Sequence, residues 1–349
     1  MTRSETLRRV LILSGSLGKG HDGIAEACQA ALTPYSVECR IVDCMALLGS
    51  GPGKVGGWVF RRLLSVTALY DAFHLAQLRG GALSGRSMDG AAVSKMQRDL
   101  RREVDEFAPD LLVAVFPTGG GAAARLKADR PHLRSVVMMG DALAHRMWVH
   151  EGTDLFIVTS DATAESVRRY WPEAPVSVIS GLVRPAFGAV PSQPEARRAV
   201  GVPVEAACVL LMSGAWGLGP LDRVASALAA DGIWVLAVAG TSGATEAALR
   251  KAALRHPEIV PFGYTDRVPQ LMAACDLVVT SSGDTCREAR AVGRGLVLLD
   301  VVPGHGRENL MHQLELGGAT VCHLEPGLLV RAVRSFLVDS RSKVAPTPG

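Results

Sequence analysis

The sequence lacks several features that would assign it to a specialised class of protein. Its seven cysteines include no CxxC pair, and we therefore expect reduced thiols in the core of a cytosolic protein. No run reaches about 18 uncharged apolar residues, so no bilayer-spanning helix is predicted. The amino-terminal stretch has no signal-peptide pattern. The net charge of +3 argues against a strongly polyanionic partner, and we expect no nucleic-acid binding.

What the sequence does contain is an alternation of short apolar runs and helical patterns, which predicts parallel sheets covered on both faces. The length of 349 residues favours two domains. The predicted fold class is α/β, with two Rossmann-like, doubly wound domains. The predicted divisions are an amino-terminal domain at 1–183, a proline-rich linker at 184–205, a second domain at 206–325, and a carboxyl-terminal helix with a frayed tail at 326–349.

Two glycine-rich turns, about one domain apart, each follow an apolar strand and open a helix. The first is LILSGSLGKGH at 11–21 and the second is VLLMSGAWGLGP at 209–220. Glycine lets backbone N–H groups approach an anion closely, and a helix amino terminus adds a positive dipole end. Two such turns predict two nucleotide-type domains that face each other across a cleft.

The first turn leaves two interpretations open. Asp43 ends the next strand, where an acid that binds the ribose of a dinucleotide would lie, but the glycine spacing is GxxGxG rather than GxGxxG. The other interpretation gives His21 the central role. A helix dipole disfavours the cationic form of a histidine at its amino terminus, and a neutral imidazole can accept a proton from a hydroxyl nucleophile. A purely structural cap histidine is the alternative.

Residues 51–90 differ in composition from the rest of the chain. From 54 to 103 there are nine Lys or Arg and four Asp or Glu, and Trp58 and Phe60 lie beside Arg61 and Arg62. A basic, aromatic-bearing amphipathic segment can lie in a membrane interface. Peripheral membrane contact through 54–86 is therefore one interpretation, and an ordinary helical excursion packed on the first domain is the other.

The second half of the sequence places polar groups after successive strands, at the sheet edge where open α/β sheets bind ligands. The turn SSGDT at 281–285 leads into a helix whose first turns contain Glu288, and a carboxylate there can accept two hydrogen bonds from a ribose diol. The turn PGHGREN at 303–309 follows the next strand and opens another helix.

These motifs, taken in order, resemble those of the two-domain GT-B glycosyltransferases grouped with monogalactosyldiacylglycerol synthase. In the first half the matches are GKGH at 18–21, GDALAHRMW at 140–148, TSDATAESV at 159–167 and GLVRPAF at 181–187. In the second half they are LMSGAWGLGP at 211–220, the stretch from GYTD at 263 to CD at 276, GDTCREA at 283–289 and PGHGREN at 303–309. The resemblance covers about 8–320.

The resemblance implies roles for individual residues. His21 or Asp141 would be the base, and His145 and Trp148 would shape the acceptor pocket. Thr265 would contact uracil, Glu288 would hold the ribose, and the glycine loops would face the diphosphate. It also implies that no metal is needed and that a UDP-sugar is a co-substrate. The implied donor-binding residues are Gly18, Gly20, Ser213, Gly214, Gly217, Tyr264, Thr265, Ser282, Gly283, Asp284, Thr285, Glu288, Gly304, His305, Glu308 and Asn309.

Three departures from the family pattern concern the donor site. The SSGDTCREA turn is one residue shorter than usual, Trp216 stands at a position that is usually small or polar, and His305 and Gly306 replace a glutamine and a glutamate. The last pair usually touches sugar hydroxyls in the family, so the resemblance implies an altered or deoxygenated sugar.

The sequence therefore predicts an inverting glycosyltransferase that moves a sugar from a UDP-sugar to a hydroxyl of a lipid-like or small natural-product acceptor. We expect a cytoplasmic protein, with peripheral attachment to the inner face of the cell membrane left open. Two alternatives stay open: a catalytically silent nucleotide-binding protein of the same fold, and an NAD-type oxidoreductase that uses the first turn and Asp43.

Overall fold

The computed structural model describes residues 7–16, 19–49, 83–214, 217, 219–302, 304–323 and 325–344. The chain divides into two compact units. The first is Met1–Arg184 with Pro303–His305, and the second is Pro185–Val302 with Gly306–Gly349. Gly18 and nearly all of the basic segment 54–86 lie outside the described residues, as does the last part of the tail, 345–349.

The first unit contains a six-stranded parallel sheet in the order β2-β1-β3-β4-β5-β6. Its strands are β1 (Arg9–Ser14), β2 (Glu38–Asp43), β3 (Leu111–Ala114), β4 (Arg134–Met138), β5 (Leu155–Val158) and β6 (Val176–Val178). The chain runs from β1 to β2 on one side and later returns to β3 on the other side of β1. The carboxyl ends of β1 and β3 therefore border the crevice at which the strand order reverses.

Helices flank this sheet because the central strands are apolar on both faces. The helices are α1 (Gly20–Leu32), α2 (Cys44–Leu47), α3 (Leu83–Phe107), α4 (Pro117–Asp129) and α5 (Asp161–Arg168). In β1, the residues Leu11 and Leu13 pack into one core cluster while Val10 and Ile12 pack into another. A carboxylate fixes the start of β1, since Asp110 accepts from the backbone N–H groups of Arg8 and Arg9.

The second unit contains a six-stranded parallel sheet in the order β12-β11-β10-β7-β8-β9. Its strands are β7 (Cys208–Met212), β8 (Trp234–Val238), β9 (Ile259–Phe262), β10 (Leu277–Thr280), β11 (Gly295–Leu299) and β12 (Ala319–Cys322). Here the strand order reverses between β7 and β10, so the turn after β7 and the turn after β10 lie side by side.

The helices of the second unit complete the doubly wound arrangement. They are α6 (Gln193–Val200), α7 (Leu221–Ala230), α8 (Gly243–Ala253), α9 (Val268–Ala274), α10 (Thr285–Ala291), α11 (His305–Glu315) and α12 (Pro326–Val344). Helix α12 belongs to this core, because Leu329 and Val333 are fully buried in the same cluster as the strands. The predicted fold class, two Rossmann-like parallel sheets with alternating helices, is confirmed.

Strand β12 and the helices α2 and α6 are elements that the periodicity does not predict. The two central residues of strand β12 are exposed, and its sequence ATVC is too short to show an alternation of apolar and polar residues. Helix α6 forms inside the proline-rich stretch that the sequence predicts as a linker. Its prolines do not prevent this, because Pro194 lies in the first turn, where the missing N–H costs nothing. A capping box of Ser192 and Glu195 begins the helix, and Gly201 ends it with a φ of +75°.

A buried arginine attaches α6 to the second unit. Arg197 is 5% exposed and donates to the carbonyl oxygens of Val204 and Ala274, the latter at the end of α9. Its guanidinium also forms an ion pair with Asp276 at 2.8 Å. The Asp276 carboxylate in turn accepts from the backbone N–H of Cys208 at the start of β7. Arg197 and Asp276 together therefore connect α6 to the end of α9 and to the starts of β7 and β10.

All seven cysteines are free thiols, and six are buried. Burial raises the pKa of Cys275 and the pKa of Cys286 to about 12, so both stay protonated at neutral pH. Six of the seven thiols therefore lie in the core, as the sequence predicts.

Replacing Arg197 with methionine should destabilise the second unit. The change removes the ion-pair partner of Asp276, and the carbonyl oxygens of Val204 and Ala274 lose the guanidinium that donates to them. We expect it to lower the free energy of unfolding by about 3 kcal/mol. The measurement is urea unfolding followed by circular dichroism. Arg198→Met is the matched control, because Arg198 is the exposed neighbour on the same helix. Equal midpoints for the two variants would show that the ion pair does not hold α6.

Candidate functional site

His21 lies at the reversal point of the first sheet. It occupies the first turn of α1, which begins at Gly20 directly after the turn that follows β1. Two contacts fix this turn against the strand, since the Asp22 carboxylate accepts from Ser14 Oγ at 2.8 Å and from Lys19 Nζ at 2.8 Å. The start of α1 is therefore held in place independently of any ligand.

The hydrogen bond of the His21 ring determines its tautomer. His21 Nδ1 lies 2.7 Å from the carbonyl oxygen of Val115, which follows β3. A carbonyl oxygen can only accept, so Nδ1 must carry the hydrogen. In the neutral ring, the lone pair is then on Nε2, and Nε2 is the atom that can take up a proton.

Two aromatic side chains line the His21 ring. The ring of Phe116 meets it edge to face, with centroids 5.1 Å apart and an interplanar angle of 81°. The ring of Trp148 is tilted towards it at 6.2 Å. Trp148 is fully buried in a short 3₁₀ turn at Arg146–Trp148. These rings restrict the orientation of the imidazole.

Asp141 and His145 complete the cluster through Trp148. The indole Nε1 of Trp148 donates to Asp141 Oδ2 at 3.1 Å, and the His145 ring lies 6.1 Å from the Trp148 ring. The structure thus brings His21, Asp141, His145 and Trp148 together within the first unit, although they come from two separate parts of the sequence.

The charge of Asp141 is stabilised by its surroundings. Burial alone would raise the pKa of Asp141. The imidazoles of His305, His21 and His145 and the indole N–H of Trp148 outweigh burial and lower this pKa from its ordinary value. Asp141 is therefore ionised at neutral pH and can orient or stabilise a positive charge on a neighbouring ring.

Asp43 has a structural role beside the first glycine turn. Its Oδ1 accepts from the backbone N–H of Ser16 at 3.1 Å and from that of Met45 at 2.9 Å. It thereby caps α2 and holds the first glycine turn. Because this oxygen already bonds two protein donors, the geometry gives the dinucleotide interpretation of Asp43 little support.

The second unit presents its glycine turn at the reversal point between β7 and β10. Gly214, Gly217 and Gly219 all have positive φ, which glycine adopts without strain. A Cβ on Gly217 would lie 2.3 Å from the carbonyl oxygen of Ala239, so no other residue fits there. The turn can therefore present backbone N–H groups at close range.

Buried hydroxyl groups surround this turn. The hydroxyl oxygens of Ser213 and Thr280 are buried and have no hydrogen-bond partner among the described residues. Burying such a group without a partner costs free energy, so a ligand or water is expected there. Thr280 ends β10 and is a residue that the sequence did not single out.

The turn after β10 leads into α10. Ser282 donates to the carbonyl oxygen of Gly306, and Asp284 forms an ion pair with Arg287. Thr285 begins α10, and Glu288 is half-buried in its first turn. Glu288 is thus close to the carboxyl edge of the sheet, as predicted, whereas the Asp284 carboxylate is bonded to Arg287.

The turn after β11 begins α11. Gly304 has a φ of +59°, and Glu308 and Asn309 are half-buried in the first turns of the helix. A Cβ on Gly306 would lie 2.5 Å from Cβ of Val302. The structure therefore gives a steric reason for the glycine that replaces the usual glutamate, since a larger residue would displace Val302.

Tyr264 and Thr265 follow β9, at the edge of the sheet. Tyr264 is exposed, and Thr265 Oγ1 accepts from the backbone N–H of Arg267 at 3.1 Å. These two residues therefore lie two strands away from the glycine turn. Their predicted contact with the base of the nucleotide stays a prediction.

Sequence reasoning missed the residues that orient His21. Val115 and Phe116 are apolar, and apolar residues at the end of a strand carry no chemical signature. The signal that could have found them is the VFP sequence at 115–117, since a proline restricts the residue before it to extended backbone.

In the part of the chain that the structure describes, no helix is long and apolar enough to cross a bilayer. Within the same residues, no group of three or more His, Cys, Asp or Glu side chains is arranged to hold a metal ion.

Comparison with known proteins agrees with this architecture. Residues 24–179 match the sequence model of the monogalactosyldiacylglycerol (MGDG) synthase family. The chain is 23% identical over 341 residues to the processive diacylglycerol beta-glucosyltransferase of Bacillus pumilus, covering 96% of this chain and 88% of that protein. It is 26% identical to the chloroplastic monogalactosyldiacylglycerol synthase 1 of Arabidopsis thaliana, covering 89% of this chain and 61% of the plant protein.

Solved structures share the fold at lower sequence identity. The calicheamicin glycosyltransferase CalG4 matches with a TM-score of 0.60 and 16% identity, covering 96% of this chain and 91% of CalG4. HepE of Anabaena, solved in complex with UDP, matches with a TM-score of 0.55 and 16% identity, covering 96% of this chain and 91% of HepE.

The fold and these matches define the class: the protein is a glycosyltransferase of the GT-B type. Within that class, the resemblance to the monogalactosyldiacylglycerol synthases and diacylglycerol glucosyltransferases is confirmed.

The pKa of Asp141 leads to a pH-dependent stability. A carboxylate whose pKa is lowered by folding stabilises the fold above its unfolded pKa, and this contribution is lost as the pH falls through the folded value. Asp141→Asn should therefore unfold at a lower temperature than the wild type at pH 7, and the difference should shrink below about pH 4.

Thermal unfolding between pH 7 and pH 3 measures this difference. Glu173→Gln, which changes an exposed carboxylate in the same unit, serves as the control and should show a constant small difference. If the difference in unfolding temperature between Asp141→Asn and the wild type stays constant or widens on acidification, the lowered pKa of Asp141 is contradicted.

Proposed function

We propose that this protein transfers a sugar from a UDP-sugar to a hydroxyl group of a lipid-like acceptor, with inversion at the anomeric carbon. The observation that carries the proposal is the hydrogen bond from His21 Nδ1 to the Val115 carbonyl oxygen. It places hydrogen on Nδ1, so Nε2 is the ring nitrogen that can accept a proton, at the reversal point of the first sheet and near the carboxylate of Asp141.

The reaction needs one proton acceptor and one anion site. The acceptor oxygen forms a bond to the anomeric carbon while the bond between that carbon and the diphosphate oxygen breaks, and UDP leaves with the electron pair. The hydroxyl proton passes to His21 Nε2. Asp141 is ionised and stabilises the imidazolium that forms, since opposite charges at close range favour the charged state.

The donor nucleotide is assigned to the second unit. The positive-φ glycines after β7 let backbone N–H groups face a diphosphate, and the amino terminus of α7 adds its dipole. The buried hydroxyls of Ser213 and Thr280 supply further donors. Glu288, in the first turn of α10, is the residue we assign to the ribose hydroxyls. The named relatives and HepE, solved with UDP, support a UDP-linked donor.

The acceptor is assigned to the first unit, where His145 and Trp148 lie beside His21. Diacylglycerol is the acceptor class in the printed names of the relatives, and we propose it as the first acceptor to test. Peripheral membrane contact, which a lipid acceptor would require, is part of the same proposal.

The test of the proposal is UDP release by the purified protein. UDP-glucose, UDP-galactose, UDP-N-acetylglucosamine and dTDP-glucose are each incubated with and without dispersed diacylglycerol. We expect one UDP-sugar to release UDP several times faster when diacylglycerol is present, with a glycolipid as product. Release from none of the donors, with UDP bound tightly, would instead indicate a catalytically silent binding protein.

His21→Ala should lower turnover about 10²–10⁴-fold, because it removes the base that accepts the hydroxyl proton. The affinity for UDP should be unchanged, since the donor contacts are assigned to the second unit. Steady-state kinetics and UDP titration measure the two quantities. His132→Ala, which removes an exposed histidine of the same unit, should behave like the wild type. Full activity of His21→Ala would mean that another group is the base.

Glu288→Ala should weaken UDP binding by about 1.5–3 kcal/mol, the range for hydrogen bonds to a charged group. Calorimetric titration with UDP measures the change. Glu205→Ala, which removes an exposed carboxylate from the same unit, is the matched control and should bind UDP normally. Wild-type affinity in Glu288→Ala would remove Glu288 from the nucleotide site.

A further inference from the structure

The Val115 carbonyl oxygen is the atom that contacts His21, and backbone hydrogen bonds lie on both sides of it in the chain. The Val115 backbone N–H donates to the carbonyl oxygen of Leu13 in β1 at 3.0 Å, and the Gly120 N–H donates to the Phe116 carbonyl oxygen at 3.2 Å. Pro117 restricts Phe116 to extended backbone, and Phe116 has a φ of −134° and a ψ of 136°. The Val115 carbonyl oxygen is therefore a fixed acceptor.

The Phe116 side chain is also held on two sides. A Cβ built on Gly15 would lie 2.4 Å from Cγ and from Cδ2 of Phe116, so the ring of Phe116 packs directly on the backbone of Gly15. On another side, this ring meets the imidazole of His21 edge to face at 5.1 Å. Any shift of the Phe116 ring must therefore change the space in which the His21 ring lies.

We infer that Phe116 is a positioning residue for His21. It acts with the Val115 carbonyl oxygen: the carbonyl selects the tautomer that carries hydrogen on Nδ1, and the Phe116 ring, seated on Gly15, prevents rotation of the imidazole away from that bond. Phe116 does not touch the reacting atoms. This role rests on the proposed function of His21 as a base, but the geometry of the ring can be measured without any turnover.

Two variants disturb the Phe116 ring in different ways. Phe116→Leu removes the aromatic wall. Gly15→Ala keeps Phe116 but adds a methyl group that must displace its ring. Phe156→Leu is the matched control, because Phe156 is a fully buried phenylalanine of the same unit that packs against Trp171 rather than His21. A general loss of core packing would affect all three variants, whereas loss of positioning would affect only the first two.

The first readout is the tautomer of His21, observed by long-range proton–nitrogen NMR of the ¹⁵N-labelled full chain and assigned by the signal lost in His21→Ala. We expect hydrogen on Nδ1 in the wild type and in Phe156→Leu, and a mixture of tautomers in Phe116→Leu and Gly15→Ala. Hydrogen on Nε2 in the wild type would overturn the inference, and so would a wild-type spectrum in both Phe116→Leu and Gly15→Ala.

The second readout is the division between kcat and KM. Misplacement of a base should lower kcat of Phe116→Leu by roughly 10–10²-fold and leave the KM for the sugar nucleotide within about twofold. Phe156→Leu should keep the wild-type kcat. Equal losses in Phe116→Leu and Phe156→Leu would reduce Phe116 to a packing residue. Absence of transfer in the wild type would refute the proposed function alone, because the tautomer measurement would still decide the role of Phe116.

Discussion

The hydrogen bond between His21 Nδ1 and the Val115 carbonyl oxygen is the interaction on which the rest of the site depends. It exists because β1 and β3 are neighbours in a parallel sheet, so that the helix after one strand begins beside the end of the other. Because Nδ1 carries the hydrogen of this bond, Nε2 is the ring nitrogen that can accept a proton. Asp141 is oriented separately, by the indole of Trp148, and its charge is favoured by the surrounding imidazoles.

The second unit uses the same topology for a different purpose. Its strand order also reverses between two neighbouring strands, but the groups that meet there are glycines with positive φ and buried hydroxyls. These groups suit an anion, whereas the histidines, carboxylate and aromatic rings of the first unit suit proton transfer. We therefore propose different roles for the two units, because different residues stand at equivalent places in two similar sheets.

Much of this arrangement could be predicted from the sequence, because apolar runs and glycine turns determine where parallel strands end. The order of elements and the position of His21 at a helix start follow from local pattern alone. The grouping of Asp141 and Trp148 with His21 came from family resemblance, since no local pattern connects positions so distant in sequence.

Other features could not be predicted, for identifiable physical reasons. Helix α6 forms within a proline-rich stretch because the buried side chain of Arg197 pairs with the carboxylate of Asp276, a contact between residues far apart in the chain. The orienting role of Val115 belongs to a backbone carbonyl, which every residue has. Gly306 is explained only by the proximity of Val302, and Asp43 is occupied by backbone donors that periodicity does not reveal.

A crystal structure of the protein with bound UDP tests the central claim most directly. We expect the diphosphate at the turn after β7, the ribose at Glu288, and His21 Nδ1 still bonded to the Val115 carbonyl oxygen. UDP bound at the first glycine turn beside Asp43, or a His21 ring rotated away from Val115, would contradict the account.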